Sequence, residues 1–546
     1  MGKTTILSGA RIWTLDPSQP WAEAVAIKDD RIVAVGSSDD ILAVWGANAE
    51  VRDLGNAFVM PGFNDAHLHF FPGTRYLADV GVRHARTMRE VLNCLRDYAA
   101  SHPQDEWIVG QEFSYGYPDL EGRNFHKSMF DEIVSDRPVF FRSGMAHAAW
   151  ANSMALERAG ITAGTPDPEN GKIIRDEQGE PTGWLLERAA NLIENVIPKR
   201  SPSTIDPLLD KAIREANRLG ITRVQSAGFD DEIFELLAAR RDTGELTLRF
   251  TLSTICDPPA LLPELEQHIE QLASKYDDSF VDFRVLKFFL DGVLESHTGF
   301  MPDGYADQPD TIGTLLWDEE VYKEAVGRAL AKGFQVWTHA IGAGAIGLAL
   351  DAYEQAGEFS RLYRPRVEHA EIPTENDIHR FASIGAIASF QPAMIYPRDQ
   401  WMGMEGIWEK RVGTDKLQRA FPIRSVLDAG AAIAFGTDWP IVDFNPLVGI
   451  RNAVVRQSLD HQPQGGWVPE QRISLEEAIH AYTLGAAFAC HRENDEGSIT
   501  PGKLADMIEL SANPFEMDVD KLTTLSVVRT IVAGQTVYEA GVSERN

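Results

Sequence analysis

Two histidines separated by a single residue, His67 and His69, are side chains whose type and spacing could support metal chemistry. They end a stretch that is predicted to be a β-strand, in which residues two apart point to the same face. At the C-terminal end of such a strand, both imidazoles could reach one ion. The chain contains 14 histidines, so one His-x-His step is weak evidence by itself. The hypothesis therefore depends on the residues at other strand ends.

Four further polar residues stand near the ends of other predicted strands. These are Lys287, His339, His369 and Asp438, near the ends of the fourth, fifth, sixth and eighth strands, in that order. The steps between the last three correspond to one and about two βα units. Charged and imidazole groups are costly to bury unless they are paired or bind a ligand. The pattern therefore predicts a metal site that these strand ends share.

The elements that must position these residues are short apolar segments that alternate with amphipathic ones. This alternation is typical of repeated βα units and a parallel sheet. Eight strands are predicted, at 64–70, 221–226, 246–253, 283–289, 334–339, 366–369, 386–391 and 432–438. Eight strands with helices between them predict an α/β fold of the TIM type, a (β/α)8 barrel, over 59–497.

Two regions depart from this alternation. The gap between the first and second strands far exceeds a usual crossover and contains strand and hairpin patterns of its own. We therefore predict an inserted subdomain after barrel strand 1, at 72–204, which caps the active-site face and helps to select the substrate. The two chain ends, 1–58 and 498–546, show short alternating strands and are each too small to fold securely alone. They are predicted to form one composite β-sandwich.

Charge limits the classes of partner. The chain has 546 residues with 51 Lys and Arg against 81 Asp and Glu, a formal net charge of −30. This balance argues against a nucleic-acid or anionic-membrane partner, because such partners need basic patches. The expected partner is a small-molecule substrate, and self-association into a homo-oligomer is compatible with the sequence.

Cysteine content and the N-terminal sequence give two more expectations. The three cysteines are far apart and form no CxxC pattern, so neither a disulfide framework nor a thiolate zinc site is indicated. Any metal must then be held by histidines and carboxylates. There is no signal-peptide pattern and no long apolar run, so a cytoplasmic location is predicted.

Several motifs together resemble one known group of enzymes. The stretches 60–69 (MPGFNDAHLH) and 497–506 (GSITPGKLAD) look like the strand-one and C-terminal motifs of the amidohydrolase superfamily. The stretches 146–153, 287–295, 339–342, 367–370 and 436–440 are similar to its amidohydrolase-3 group, which includes N-substituted formamide deformylases. The resemblance spans nearly the whole chain, and the motifs are specific when taken together. It does not determine the substrate.

The candidate ligands could bind one or two divalent ions. His67, His69 and Asp438 would hold one ion, and His339 and His369 a second. Zinc is the default metal for such ligands, although iron or manganese would also fit. The resemblance implies that Lys287 carries a CO2-derived carbamate and bridges the two ions. The alternative is a neutral or salt-bridged Lys287 in a one-ion site.

This centre is expected to hydrolyse a C–N bond. A hydroxide activated by the metal would attack the carbonyl of an amide, with an N-substituted formamide or N-acyl amine as the leading substrate class. Asp438 would accept the proton and return it to the leaving amine. Two alternatives remain open. The same site could act as a deaminase or as a lactonase or esterase, or the barrel could be non-catalytic and serve in protein interaction.

A second group of residues is predicted to surround the substrate. His147 lies within the insertion and could also be a helix-packing residue, and Asp291 and Glu295 could instead form an ion-pair network. Trp439 could equally be simple packing. The predicted substrate-binding set is His147, Asp291, Glu295, His297, Gln391 and Trp439.

Overall fold

An eight-stranded parallel sheet forms the centre of the computed structural model, which describes residues 4–114, 116–121, 124–144, 148–257, 261–395 and 406–541. The strands follow one another in chain order around the sheet. They are β1 (Phe63–Leu68), β2 (Ile221–Ser226), β3 (Arg249–Ile255), β4 (Val281–Phe289), β5 (Gln335–Ala340), β6 (Arg366–His369), β7 (Ile387–Phe390) and β8 (Ile433–Phe435). Each neighbouring pair is parallel, so all eight C-terminal ends lie on one face.

Helices connect these strands on the outside of the barrel. Between successive strands from β1 to β8 the main helices are Pro202–Arg218, Asp231–Thr243, Leu262–Tyr276, Glu319–Ala331, Ala343–Gln355, Glu375–Ile384 and Ile423–Asp428, and Pro446–Val455, Leu475–Ala481 and Leu484–Ala489 follow β8. Their apolar faces and the strands share one large buried cluster. The predicted TIM-type barrel is confirmed.

At the candidate metal site, two strands end before the predicted residue. The strand predicted to reach residue 70 ends at Leu68, and His69 is the N-cap residue of a short helix, Phe70–Tyr76. The strand predicted to reach Asp438 ends at Phe435. Asp438 has a φ of 61°, and a residue in the left-handed region cannot continue a β-ladder.

Both chain ends contribute to a two-sheet β-sandwich, as predicted. One sheet consists of Thr4–Ser8, Ala24–Lys28, Arg31–Gly36 and Glu50–Asp53, and the other of Arg11–Trp13, Trp21–Ala22, Phe58–Pro61, Met507–Leu510, Val527–Val532 and Gln535–Glu539. The C-terminal strand Met507–Leu510 pairs antiparallel with Phe58–Pro61. The two sheets share an apolar core that includes Ile12, Val25 and Met507.

The segment of the chain that connects β1 to β2 contains a third sheet. Its six strands are Val80–Gly81, Ile108–Phe113, Val139–Ser143, Ala148–Ala151, Gly171–Arg175 and Pro181–Glu187. Helix Met88–Ser101 packs with this sheet, and two apolar clusters separate from the barrel core fill its faces. The inserted subdomain therefore has a core of its own. None of the described helices is long and apolar enough to cross a membrane.

Candidate metal centre

His67, His69 and Asp438 form a compact cluster at the end of β1 and just beyond β8. Nε2 of His67 lies 3.5 Å and Nε2 of His69 lies 3.3 Å from Oδ1 of Asp438. One possible ligand atom from each residue lies within 4.8 Å of the other two. Two imidazoles and a carboxylate are a donor set for a divalent metal ion.

Backbone hydrogen bonds hold the two segments of this cluster together. The N–H of Asp438 donates to the carbonyl of His67, and the N–H of His69 donates to the carbonyl of Trp439, each at 2.7 Å. These bonds join the first strand of the barrel to the segment after the last. The spacing of the three side chains is therefore fixed by the closure of the barrel.

His67 and His69 each have a protein oxygen close to Nδ1. Nδ1 of His69 is 3.2 Å from the carbonyl of Ala227, to which it can only donate. Nδ1 of His67 is 2.8 Å from Oε2 of Glu368. With protons on the two Nδ1 atoms, the Nε2 lone pairs are available towards Asp438.

His339 and His369 continue the row of imidazoles. The ring centroid of His369 lies 5.0 Å from that of His67 and 4.5 Å from that of His339. Nε2 of His339 lies 3.2 Å from the carbonyl of Gly292 and 3.7 Å from Oδ1 of Asp291. Burial holds the pKa of His369 well below its usual range, which favours the neutral form that binds metals.

Lys287 is fully buried on β4 close to this row. Its Nζ has no hydrogen-bond partner among the described residues and lies 5.0 Å from the ring centroid of Phe289. Burial lowers the pKa of Lys287 to about 8, against the nearby charges of Glu368 and Asp438. An unpaired buried ammonium is costly, so burial shifts the equilibrium of Lys287 towards the uncharged amine.

The buried polar atoms at these strand ends fit a bound metal ion. Several atoms are buried without a hydrogen-bond partner in the part of the chain that the structure describes: both ring nitrogens of His67, Nζ of Lys287, Nδ1 of His369 and Oδ1 of Asp438. Unpaired buried polar atoms are rare in native proteins and require an explanation. A cation bound to the imidazoles and the carboxylate would give them partners.

Three residues at the same strand ends have a positive φ. His369, Ala370 and Asp438 have φ angles of 73°, 45° and 61°. Each such residue costs roughly 1–3 kcal/mol and persists where the surrounding structure enforces it, often at functional sites.

Two buried acids that the sequence reasoning missed support the centre. Asp65 accepts hydrogen bonds from the hydroxyl and the N–H of Thr437, at 2.5 and 2.9 Å. Burial raises the pKa of Asp65 to about 7, although these hydrogen bonds oppose the rise. Asp65 is two residues before His67 on β1, and that spacing could have identified it. Glu368 precedes His369 directly, but strand alternation gave no signal that it would contact His67.

The predicted substrate residue Asp291 joins the loops after β4 and β5. Its Oδ1 accepts from the N–H of Ile341 at 3.0 Å, and its Oδ2 accepts from the N–H groups of Gly342 and Phe300 at 2.8 Å each. Both carboxylate oxygens therefore have backbone partners.

Glu295 and His297 also contact protein groups. Oε1 of Glu295 accepts from the indole N–H of Trp408 at 3.3 Å. Nε2 of His297 is 3.1 Å from Oδ1 of Asp307, and its ring lies 4.8 Å from that of Tyr305. In this arrangement both polar groups support the loop after β4. Their role as substrate contacts stays a prediction.

The remaining predicted substrate residues have different surroundings. Gln391 is fully buried after β7, and its Oε1 has no partner among the described residues. The Trp439 ring stacks on Phe444 at 4.6 Å between centroids and packs tightly against Gly73. His147 lies outside the described residues.

A cavity of about 350 Å³ lies between the inserted subdomain and the loop after β4. Lys172, Leu186 and Arg188 line it from the insertion, and Gly292 and Leu316 line it from the barrel. Gly292 lines this cavity, and its carbonyl contacts His339. The cavity therefore lies next to the row of imidazoles. Its volume is within the usual range for small-molecule sites.

The sequence was compared with models of known protein families to identify the class of enzyme to which this barrel and its candidate metal-ligand cluster belong. Residues 50–538 match the model of the amidohydrolase family. The chain belongs to this family, as its motifs predicted, and is therefore a hydrolase acting on C–N bonds.

Three similar proteins are informative. YtcJ of Bacillus subtilis (strain 168) is 29% identical over 541 residues, 98% of this chain and 99% of that protein. The N-substituted formamide deformylase of Arthrobacter pascens is 28% identical and is covered over 98% of both chains. The crystal structure of an uncharacterized metal-dependent hydrolase from Pyrococcus furiosus has a TM-score of 0.74 and 26% identity, covering 94% of this chain and 100% of that one.

Proposed function

We propose that this protein hydrolyses the amide bond of a small molecule, with an N-substituted formamide or an N-acyl amine as the leading substrate class. The observation that carries the proposal is the cluster of His67, His69 and Asp438, whose candidate ligand atoms lie within 4.8 Å of one another at the barrel ends. The similarity to an N-substituted formamide deformylase over nearly the whole chain supports the substrate class.

The residues present fit a divalent ion, with zinc as the proposed metal. His67, His69 and Asp438 would hold one ion, and His339 and His369 would hold a second, with Lys287 between them as a carbamate. A divalent ion in such a site polarises the carbonyl and lowers the pKa of water. The buried, unpaired Nζ of Lys287 supports the carbamate, because CO2 addition converts a cation into an anion with two donor oxygens.

Asp438 is the proposed proton carrier. Its carboxylate is buried beside the imidazoles of His67 and His69, where it would accept the proton that water loses as its oxygen bonds to the carbonyl carbon. When the C–N bond breaks, Asp438 would return this proton to the leaving nitrogen. The products are then a carboxylic acid, or formate, and an amine.

Burial alone would raise the pKa of Asp438, but hydrogen bonds and positive charge from protonated imidazoles of His67 and His69 hold it well below its usual range. A bound cation would replace those protons and supply the positive charge. The carboxylate is thus in the ionised form that the first proton transfer requires.

The function is tested by metal content and a substrate panel. We expect roughly one to two transition-metal ions per chain and release of formate or amine from N-substituted formamides or N-acyl amines. The panel includes a lactone and a ring amidine, and preferred turnover of either would assign the esterase or deaminase activity instead. Full amide turnover by metal-free protein would refute the proposed mechanism.

Asp438→Asn tests the proton carrier. We expect the amide hydrolysis rate to fall by roughly 10²- to 10⁴-fold, the usual contribution of a positioned general acid-base. Asp443→Asn is the matched control, because Asp443 is an exposed acid on the same loop. Equal rates for the two variants would exclude Asp438 from proton transfer.

A further inference from the structure

A row of buried charged side chains extends from the barrel interior to His67. Glu368 on β6 is fully buried, and its Oε2 lies 2.8 Å from Nδ1 of His67. On its other side, Glu368 is paired with Arg366 through contacts of 2.8 Å to Oε1 and 3.1 Å to Oε2. The three side chains thus form a line from Arg366 through Glu368 to a candidate metal ligand.

Arg366 is itself held by four other barrel strands. Its guanidinium donates to the side chains of Gln225 and Ser389 and to the carbonyl of Ala66. It also lies 4.0 Å from the ring centroid of Trp337. Because Arg366 is fixed on several sides, the Glu368 carboxylate that it holds has little freedom to move away from His67.

We propose that Glu368 is a positioning residue that fixes the tautomer and the orientation of His67 for metal binding. The Oε2 contact with Nδ1 is an ion-pair contact at 2.8 Å and not a well-aligned hydrogen bond. The negative charge of the carboxylate beside Nδ1 favours the tautomer with its proton on Nδ1, in which Nε2 keeps its lone pair. That Nε2 is the atom that lies 3.5 Å from Asp438. Carboxylate partners of this kind orient ligand imidazoles and make them stronger donors.

This inference rests on the proposed metal-dependent function. The competing explanation is that Glu368 only compensates the buried charge of Arg366. In that case its loss would lower stability without a specific effect on the metal. Metal affinity, measured beside stability, separates the two roles.

The test is the affinity of Glu368→Gln for Zn²⁺, measured on the full-length protein by competition with a chromophoric chelator. We expect Zn²⁺ to bind roughly 10- to 100-fold more weakly than to the wild type, the usual effect of losing such a partner. Co²⁺ gives a second readout, because the visible absorption of the bound ion should change when His67 is displaced.

Glu496→Gln is the matched control. Glu496 is also a buried acid paired with a buried arginine, Arg223, at 2.7 Å, but it contacts none of the candidate ligands. Its replacement should lower the melting temperature and leave Zn²⁺ affinity unchanged. Equal loss of Zn²⁺ affinity in both variants would overturn the proposal, as would an unchanged affinity in Glu368→Gln.

Glu368→Asp keeps the inference testable if the glutamine variant does not fold. It retains the charge that pairs with Arg366 and withdraws the carboxylate from His67 by one methylene, so we expect weakened Zn²⁺ binding in a folded protein. Wild-type Zn²⁺ affinity in this variant would also overturn the proposal. A wild-type protein that binds no divalent ion would instead refute the proposed function.

Discussion

At the level of single residues, the centre depends on which atom of each side chain is available. Nδ1 of His69 faces a backbone carbonyl and Nδ1 of His67 faces a carboxylate. Nε2 of His339 faces the carbonyl of Gly292. In each of these imidazoles one nitrogen faces a protein acceptor, and metal-binding histidines are usually oriented in this way.

Lys287→Ala tests the number of ions. If Lys287 bridges two ions, the variant should lose metal and activity, because a methyl group supplies no donor atom. Short carboxylic acids should restore part of the activity by replacing the carbamate. Metal content is measured by elemental analysis of the purified protein.

Lys332→Ala is the control for Lys287→Ala, because Lys332 pairs with Glu266 on the outer helices. It should keep the wild-type metal content. Unchanged metal content in Lys287→Ala as well would support a one-ion site and contradict the bridging role.

At the level of elements, the loops after β4 and β5 are joined by one carboxylate. Asp291 follows β4 and accepts hydrogen bonds from the N–H groups of Ile341 and Gly342 after β5. The same β4 loop carries Gly292, which contacts His339. Asp291 therefore joins the two loops beside a candidate ligand, and its Oδ1 lies 3.7 Å from Nε2 of His339.

Asp291→Asn should weaken the connection between these two loops and lower the free energy of unfolding. The amide has one acceptor oxygen in place of two, so at least one buried backbone N–H loses its partner, at a cost of about 1–3 kcal/mol. Denaturant unfolding measures this change, and Asp310→Asn, an exposed position, should leave the unfolding free energy unchanged. A raised KM with unaltered unfolding free energy would instead support substrate binding by Asp291.

At the level of the whole molecule, buried ion pairs join the barrel to the β-sandwich. Arg249 on β3 contacts both carboxylate oxygens of Asp506, at 2.6 and 3.0 Å. Asp506 precedes the sandwich strand Met507–Leu510 and also accepts from the N–H of Ala533. The sandwich is therefore attached to the barrel by charge pairing as well as by apolar contact.

Arg249→Met tests this attachment. It leaves the buried Asp506 carboxylate uncompensated, which should lower the unfolding free energy by about 3–5 kcal/mol. Arg284→Met breaks a pair whose arginine side chain is 72% exposed, and it should cost no more than about 1 kcal/mol. Denaturant unfolding compares the two variants, and equal losses would contradict a structural role for the buried pair.

The inserted subdomain meets the barrel at the cavity beside Gly292, and we predict that this cavity holds the substrate's nitrogen substituent. Leu186→Trp would fill part of the cavity. It should reduce kcat/KM for bulky N-substituted formamides by roughly 10- to 200-fold and leave the smallest formamide nearly unaffected.

Leu362→Trp, on the exposed helix Glu358–Tyr363, is the control for the cavity variant. It should preserve the ratio of kcat/KM values between large and small formamides. A uniform loss for all substrates in Leu186→Trp would contradict a role of the cavity in selectivity.

Local patterns in the sequence were sufficient to predict the barrel and to identify the polar residues near the ends of its strands. Alternation of apolar and amphipathic segments depends on neighbours in the chain, so it predicted the eight strands and placed His67, His339 and His369 at or near their ends. The same patterns overestimated the strands near His69 and Asp438. There, a helix cap and a positive φ, which pattern does not encode, end the ladder.

The tertiary structure decided what each of these side chains contacts. Glu368 reaches His67, and Arg366 reaches the carbonyl of Ala66, across about half of the chain. His297 faces Asp307, and Asp291 faces three backbone N–H groups. The sequence by itself determined the fold class and the types of group at the centre. Only the folded chain decided their partners, because contacts between distant segments depend on how the barrel closes and not on local periodicity.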